Sequence, residues 1–270
     1  MSKKCIECNK RINIHADLIC PKCGKLPTVI DLFDSIDEMI QDTIKINKKT
    51  NELIEIFKKL KLPDDDIRNE FLANMNMLTT WVNLQLTLYR DYGKSINSHI
   101  RRKLNDQSNG RLSANQISVK IQKLDILNRR SYLTALMFEV EVFLKKISET
   151  LPEGELQGYE QLVKHVLREL GILTNDSEEF RKLYYPAIIR NSLHNNGFHE
   201  GKKYEGKIKG IPFLFEDKQQ TKHAGWRHVY FFCIGILEMM ELIIQHQTIH
   251  QTYIQGVSLL NNNKISLIDK

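Results

Sequence analysis

SANQISVKIQKLDILNRRSYLTALMFEVEVFLKKISET, residues Ser113 to Thr150, decides the fold class. Its first four residues form a capping box: the Ser113 hydroxyl can accept from an amide three residues on, and Gln116 can reach back to the amide of Ser113. Leu133, Leu136, Met137, Val140, Leu144 and Ile147 then recur at intervals of three and four, the spacing of one helix face. The pattern predicts one long helix from Ser113 to about Thr150. Glu141 stands one turn from both Met137 and Leu144 and reads as an acid on the rim of the core.

The same period extends in both directions. On the C-terminal side, LPEGELQG reads as a loop, and Tyr159, Leu162, Val163, Val166, Leu167 and Leu170 share one face of a further helix that stops at Gly171. Asp176 with Glu179 is expected to cap the next helix, and Pro186 suits an early helical position or a kink. On the N-terminal side, IDLFDSIDEMIQDTIKINKKTNELIEIFKKLKL carries apolar residues at Leu32, Ile36, Ile40, Ile44, Ile46, Leu53, Ile54, Ile56, Phe57 and Leu60. Pro63 ends that helix. Asp64, Asp65 and Asp66 are placed in the first turn of another, which continues through Met75, Leu78, Trp81, Val82 and Leu88. GKSINSHIRRKLNDQSNGRLS is polar and contains glycine, so it reads as a loop or frayed segment. Its Arg101, Arg102, Lys103 and Arg111 read as a solvated surface, with an RNA contact as the alternative.

Composition agrees with a mainly helical chain. Thirteen Gly and six Pro in 270 residues are too few for a turn-rich all-β fold. The formal charge of +6 is a mild bias toward anionic partners. The start, MSKKCIEC, lacks the apolar run of an export signal. VYFFCIGILEMMELII contains Glu238 and Glu241 and falls short of the roughly 20 residues that span a bilayer, so it reads as a buried helix in which Cys233 is a packed thiol. A cytoplasmic protein without a membrane partner is expected.

Cys5 and Cys8, then Cys20 and Cys23, form two C-x-x-C knuckles, and the second is followed by Gly24. Two such turns can aim four sulfurs at one point, which predicts a structural zinc with no open coordination position. Residues 1–27 are therefore read as a zinc ribbon, with His15 as a bystander. Lys3, Lys4, Lys10, Arg11, Lys22 and Lys25 around the cysteines either touch phosphates or keep a small domain in solution.

IIRNSLHNNG, residues 188–197, gathers polar groups behind a hydrophobic run. If it is helical, Arg190 and His194 lie four apart on one face, and Asn195, Asn196 and Gly197 form a stop. An imidazole that titrates near neutrality and a fixed guanidinium suit RNA cleavage, which needs a base, an acid and a cation against the phosphorane. Asn191 can orient either group. One pair supplies part of that apparatus, and a homodimer with two copies face to face would double it. The plainer reading is a helix end whose Arg and His cap carbonyls. Downstream, residues 207–211 and 213–215 read as a short β-hairpin insertion. Lys202, Lys203, Lys207 and Lys209 place charge beside the motif, while Phe198 and Tyr204 are candidates to stack on bases.

The long helix, the RNSLHN motif opening its loop and the final apolar helix WRHVYFFCIGILEMMELIIQ together resemble the HEPN family, helical bundles found in bacterial ribonucleases, toxins and antiphage defence proteins. The family signature is Arg, a polar residue, then His after four to six residues. Arg190 and Asn191 match it, and His194 follows after three. The resemblance implies a HEPN-like bundle over residues 113–260, preceded by a helical region, 28–112, that acts as a sensor or extends the bundle. It implies a metal-independent endoribonuclease acting on RNA as a homodimer, with Arg190 and His194 catalytic, Asn191 supporting and Glu141 a further candidate. A non-catalytic HEPN scaffold that binds RNA or a protein is the alternative, and a zinc-ribbon adaptor is a third class.

Overall fold

The computed structural model describes residues 2–4, 11–13, 29–111, 113–154, 157–172, 177–195, 197–219, 221, 225–250 and 252–256. Two short strands, β1 (Ser2–Lys4) and β2 (Arg11–Asn13), pair antiparallel. Cys5, Cys8, Cys20 and Cys23 lie outside the described residues, as does His15.

The rest is mainly helical. The long helices α1 (Val29–Lys58), α2 (Ile67–Gln107) and α3 (Ala114–Ser148) run up, down and up, with α2 packed against both others. The capping box at Ser113 forms: its hydroxyl accepts from the Gln116 amide at 3.3 Å and the Gln116 side chain accepts from the Ser113 amide at 2.8 Å. Then come α4 (Tyr159–Glu169), α5 (Glu178–His194), a hairpin of β3 (Tyr204–Ile208) and β4 (Ile211–Phe215), α6 (Trp226–Gln245) and the single turn α7 (Gln247–His250). Lys209 (φ 49°) and Gly210 (φ 79°) form the two-residue turn, whose left-handed pair matches the strand twist.

One continuous core joins these elements. It takes Ile46, Leu53 and Phe57 from α1, Phe71, Leu72 and Met75 from α2, the predicted stripe of α3, and half of α6. By length and composition, α6 could cross a membrane over His228–Gln245, yet 61% of that window is buried inside the molecule. Cys233 is fully buried beside the Tyr132 hydroxyl, and burial pushes its thiol up to about 12.

Several local expectations are corrected. The polar run from Gly93 is a continuation of α2, which ends only at Gln107, before left-handed Asn109 and Gly110. Asp66 is the N-cap of α2 rather than part of its first turn. Ser177 caps α5, accepting from the Phe180 amide at 3.2 Å, while Asp176, read as the cap, lies outside the described residues. Pro186 sits well inside α5, which gives up one helix bond there. Buried Leu183, Tyr185, Ile188 and Ile189 around it hold the helix to the core. Ile44, Trp81 and Leu88, members of the apolar periods of α1 and α2, are exposed.

Candidate functional site

Three helices converge on Arg190. It lies in the penultimate turn of α5, after buried Ile188 and Ile189, and its side chain is only 17% exposed. One guanidinium nitrogen donates to Glu141 Oε2 of α3 at 3.1 Å, and Nε donates to Asn191 Oδ1 at 3.2 Å. The guanidinium carbon stands 5.9 Å from the ring centroid of Tyr159, at the start of α4. Glu141 also takes Lys145 Nζ at 2.9 Å, one turn along α3. Burial raises the Glu141 carboxyl, but the bonds from Lys145 and Arg190 more than offset it, leaving it below its ordinary value and ionised. Burial also raises the Tyr159 phenol; its hydroxyl donates to the Leu183 carbonyl at 3.2 Å and stays neutral.

Of the four site residues read from sequence, Asn191 and Glu141 are thus each in contact with Arg190. The backbone of His194 is the last residue of α5, one turn beyond Arg190; its side chain lies outside the described ones. Beyond it, Asn195 caps the helix and Gly197 is left-handed (φ 90°), its amide reaching the Ser192 carbonyl at 2.7 Å. The expected stop is present.

The surrounding groups are more occupied than the sequence implied. His199 is buried, with Nε2 2.9 Å from the Lys202 carbonyl and its ring between Tyr204 and Phe215. It belongs to the hairpin, not to the Arg190 cluster. Lys202 pairs with Glu160, Lys203 with Glu205 and Lys209 with Glu238, so much of the expected positive field is neutralised within the chain. Tyr204 is half-buried and donates to Glu160 at 2.8 Å, which removes it as a base platform; Phe198 stays exposed.

Sequence reasoning missed Glu160. This α4 carboxylate accepts from Lys164 at 2.7 Å, Lys202 at 2.9 Å, and the Tyr204 and Tyr184 hydroxyls at 2.8 and 3.2 Å. Only its i,i+4 spacing to Lys164 was there to be read. No group of three or more possible metal-ligating side chains occurs among the described residues. Compared with family models, curated proteins and solved structures, the chain matches none.

Proposed function

We propose that the protein is an endoribonuclease of HEPN type, acting at the C-terminal end of α5. The observation that carries this reading is the Arg190–Glu141 contact at 3.1 Å, with Asn191 on the same guanidinium and His194 one turn further on. In the reaction, the ribose 2′-oxygen attacks phosphorus, its proton leaves to a base, and the bond to the 5′-oxygen breaks as that oxygen is protonated. The products are a 2′,3′-cyclic phosphate and a 5′-hydroxyl. Arg190 stabilises the phosphorane charge, His194 moves the proton, and Asn191 and Glu141 hold the guanidinium in place. None of these roles calls for a metal. Cys5, Cys8, Cys20 and Cys23 are proposed to hold a structural zinc; β1 and β2 support this, since pairing Lys4 with Arg11 closes the segment that holds the first two cysteines. The reading extends to a cytoplasmic homodimer working as a toxin or antiviral defence effector.

A second reading has its own support. The Arg190–Glu141 pair is complete without a ligand, which suits a HEPN scaffold that binds RNA or a protein without cutting it. One experiment separates the two: RNA is incubated with wild type, Arg190→Ala and His194→Ala in EDTA, with zinc content followed in parallel. Cleavage by wild type alone, leaving cyclic phosphate ends, supports the nuclease. Binding without cleavage by zinc-replete wild type sinks it in favour of the scaffold.

A further inference from the structure

From Phe71 to Tyr89, α2 carries nineteen consecutive residues without one charged side chain, in a chain whose residues are 27% charged. Three faces of this stretch are occupied. Phe71, Leu72, Met75 and Thr79 face the core. Asn76, Thr80 and Asn83 face α1 through bonds to Asn51, Asn47 and Thr43. Asn74 faces α3 through Glu139 at 2.9 Å. The fourth face, opposite the core, holds Met77, Trp81, Leu84 and Leu88, which are 62%, 60%, 46% and 44% exposed.

We propose that this face of α2 is a self-association surface on which a second copy of the chain docks antiparallel about a twofold axis. The seam runs at intervals of four, three and four, as in a helix–helix seam, and reads the same from either end. Antiparallel docking sets Met77 against Leu88 of the partner subunit and Trp81 against Leu84 of the partner subunit, a self-complementary arrangement. The exposed apolar area of these four side chains is on the order of 400 Å², most of the apolar share of the roughly 800 Å² each partner buries in a standard interface. Interface centres are short of charge and rich in Met and aromatic residues, as this stretch is. RNA would need cations here, and a membrane-surface helix would carry a Lys/Arg rim; neither is present between Phe71 and Tyr89. The surface specifies where two copies meet, with the twofold axis between Trp81 and Leu84, and does not depend on the chemistry at Arg190 or require two Arg190 sites to face each other.

The test is sedimentation equilibrium of the full chain at micromolar concentration. Wild type is expected at twice the 31.6 kDa chain mass, and the Trp81→Glu/Leu84→Glu variant at 31.6 kDa with an unchanged helical circular dichroism spectrum. Ile44→Glu, on the exposed side of α1, is expected to leave the dimer intact. A photo-crosslinker at Met77 is expected to capture the peptide of the other copy that contains Leu88. A monomeric wild type, a dimer that survives the double substitution, or capture of a different peptide each overturns the proposal. RNA cleavage is scored separately, so loss of the dimer and loss of the nuclease reading are distinguishable.

Discussion

Arg68 and Asp66 are both withdrawn from water, at 0% exposure, and face each other in a two-pronged pair at 2.7 Å on each prong. Arg68 also donates to the carbonyls of Ile249 at 2.7 Å and Thr252 at 2.5 Å, and Asp66 accepts from the Ile254 amide at 3.1 Å. Each charge is satisfied chiefly by the other and by that returning strand of chain, with the Arg68 amide also donating to Asp66 at 3.0 Å. Arg68→Ala is therefore expected to lower stability by about 3–5 kcal/mol, read as a fall in urea midpoint, because it leaves an unpaired buried carboxylate. Replacing both partners with apolar residues should cost less than the two single changes added together. Arg190 is a different case: partly exposed, it carries a proposed catalytic task. Arg190→Ala should reduce RNA cleavage by about 100-fold or more, while Glu141→Gln, acting only through Arg190, should cost on the order of tenfold, mostly in kcat. A Glu141→Gln enzyme as dead as Arg190→Ala would instead put the carboxylate in the chemistry. The Arg190 cluster was legible because a motif and a stripe-flanking acid each stand out locally. Arg68 was not, because its carbonyl partners lie 181 to 184 residues away and leave no mark on neighbouring sequence.

The β3–β4 hairpin is tied to α4 by one carboxylate. Burial alone would raise Glu160, yet the bonds from Lys164, Lys202 and Tyr204 hold it at about 2, well below its ordinary 4.5. A depressed acid stabilises the fold at pH above its unfolded value, and that contribution disappears as pH falls through the folded one. Hydrogen exchange of the hairpin amides should therefore quicken as pH drops from about 4.5 toward 2, beyond the intrinsic trend, and Glu160→Gln should abolish that transition. An unchanged profile in the variant would assign the tie to other groups. The hairpin itself, the capping box at Ser113 and the Gly171 stop were readable, since each depends on a few adjacent residues. The second half of α2 was not: GKSINSHIRRKLNDQ carries only a thin apolar row, Ile96, Ile100 and Leu104 at intervals of four, which its glycine and polar residues outweigh. The cap of α5 falls at Ser177, a one-residue shift that pattern alone does not settle.

The molecule is built on one core whose described members begin in α1 and end at Ile254. If the four cysteines hold zinc, chelation should release one metal per chain by mass spectrometry and leave the main calorimetric transition in place. A main transition that collapses with the metal would show that the ribbon and the helical core fold as one unit. The mainly helical class was legible from helical period and low glycine content. How α1 and α2 share the core with α3 to α6 was not, since pairing among long helices is set by packing rather than by any single segment. The Asp66–Arg68 clamp also bears on how the chain acquires its shape. Its last partners arrive 188 positions downstream, so the corner between α1 and α2 cannot close while translation is still in the middle of the message. Until then Asp66 and Arg68 have each other and water, without the carbonyls and amide that cover them in the finished protein. A prematurely released polypeptide lacking residues 249–254 would keep that corner open to proteases, so quality control can discard it before it does harm.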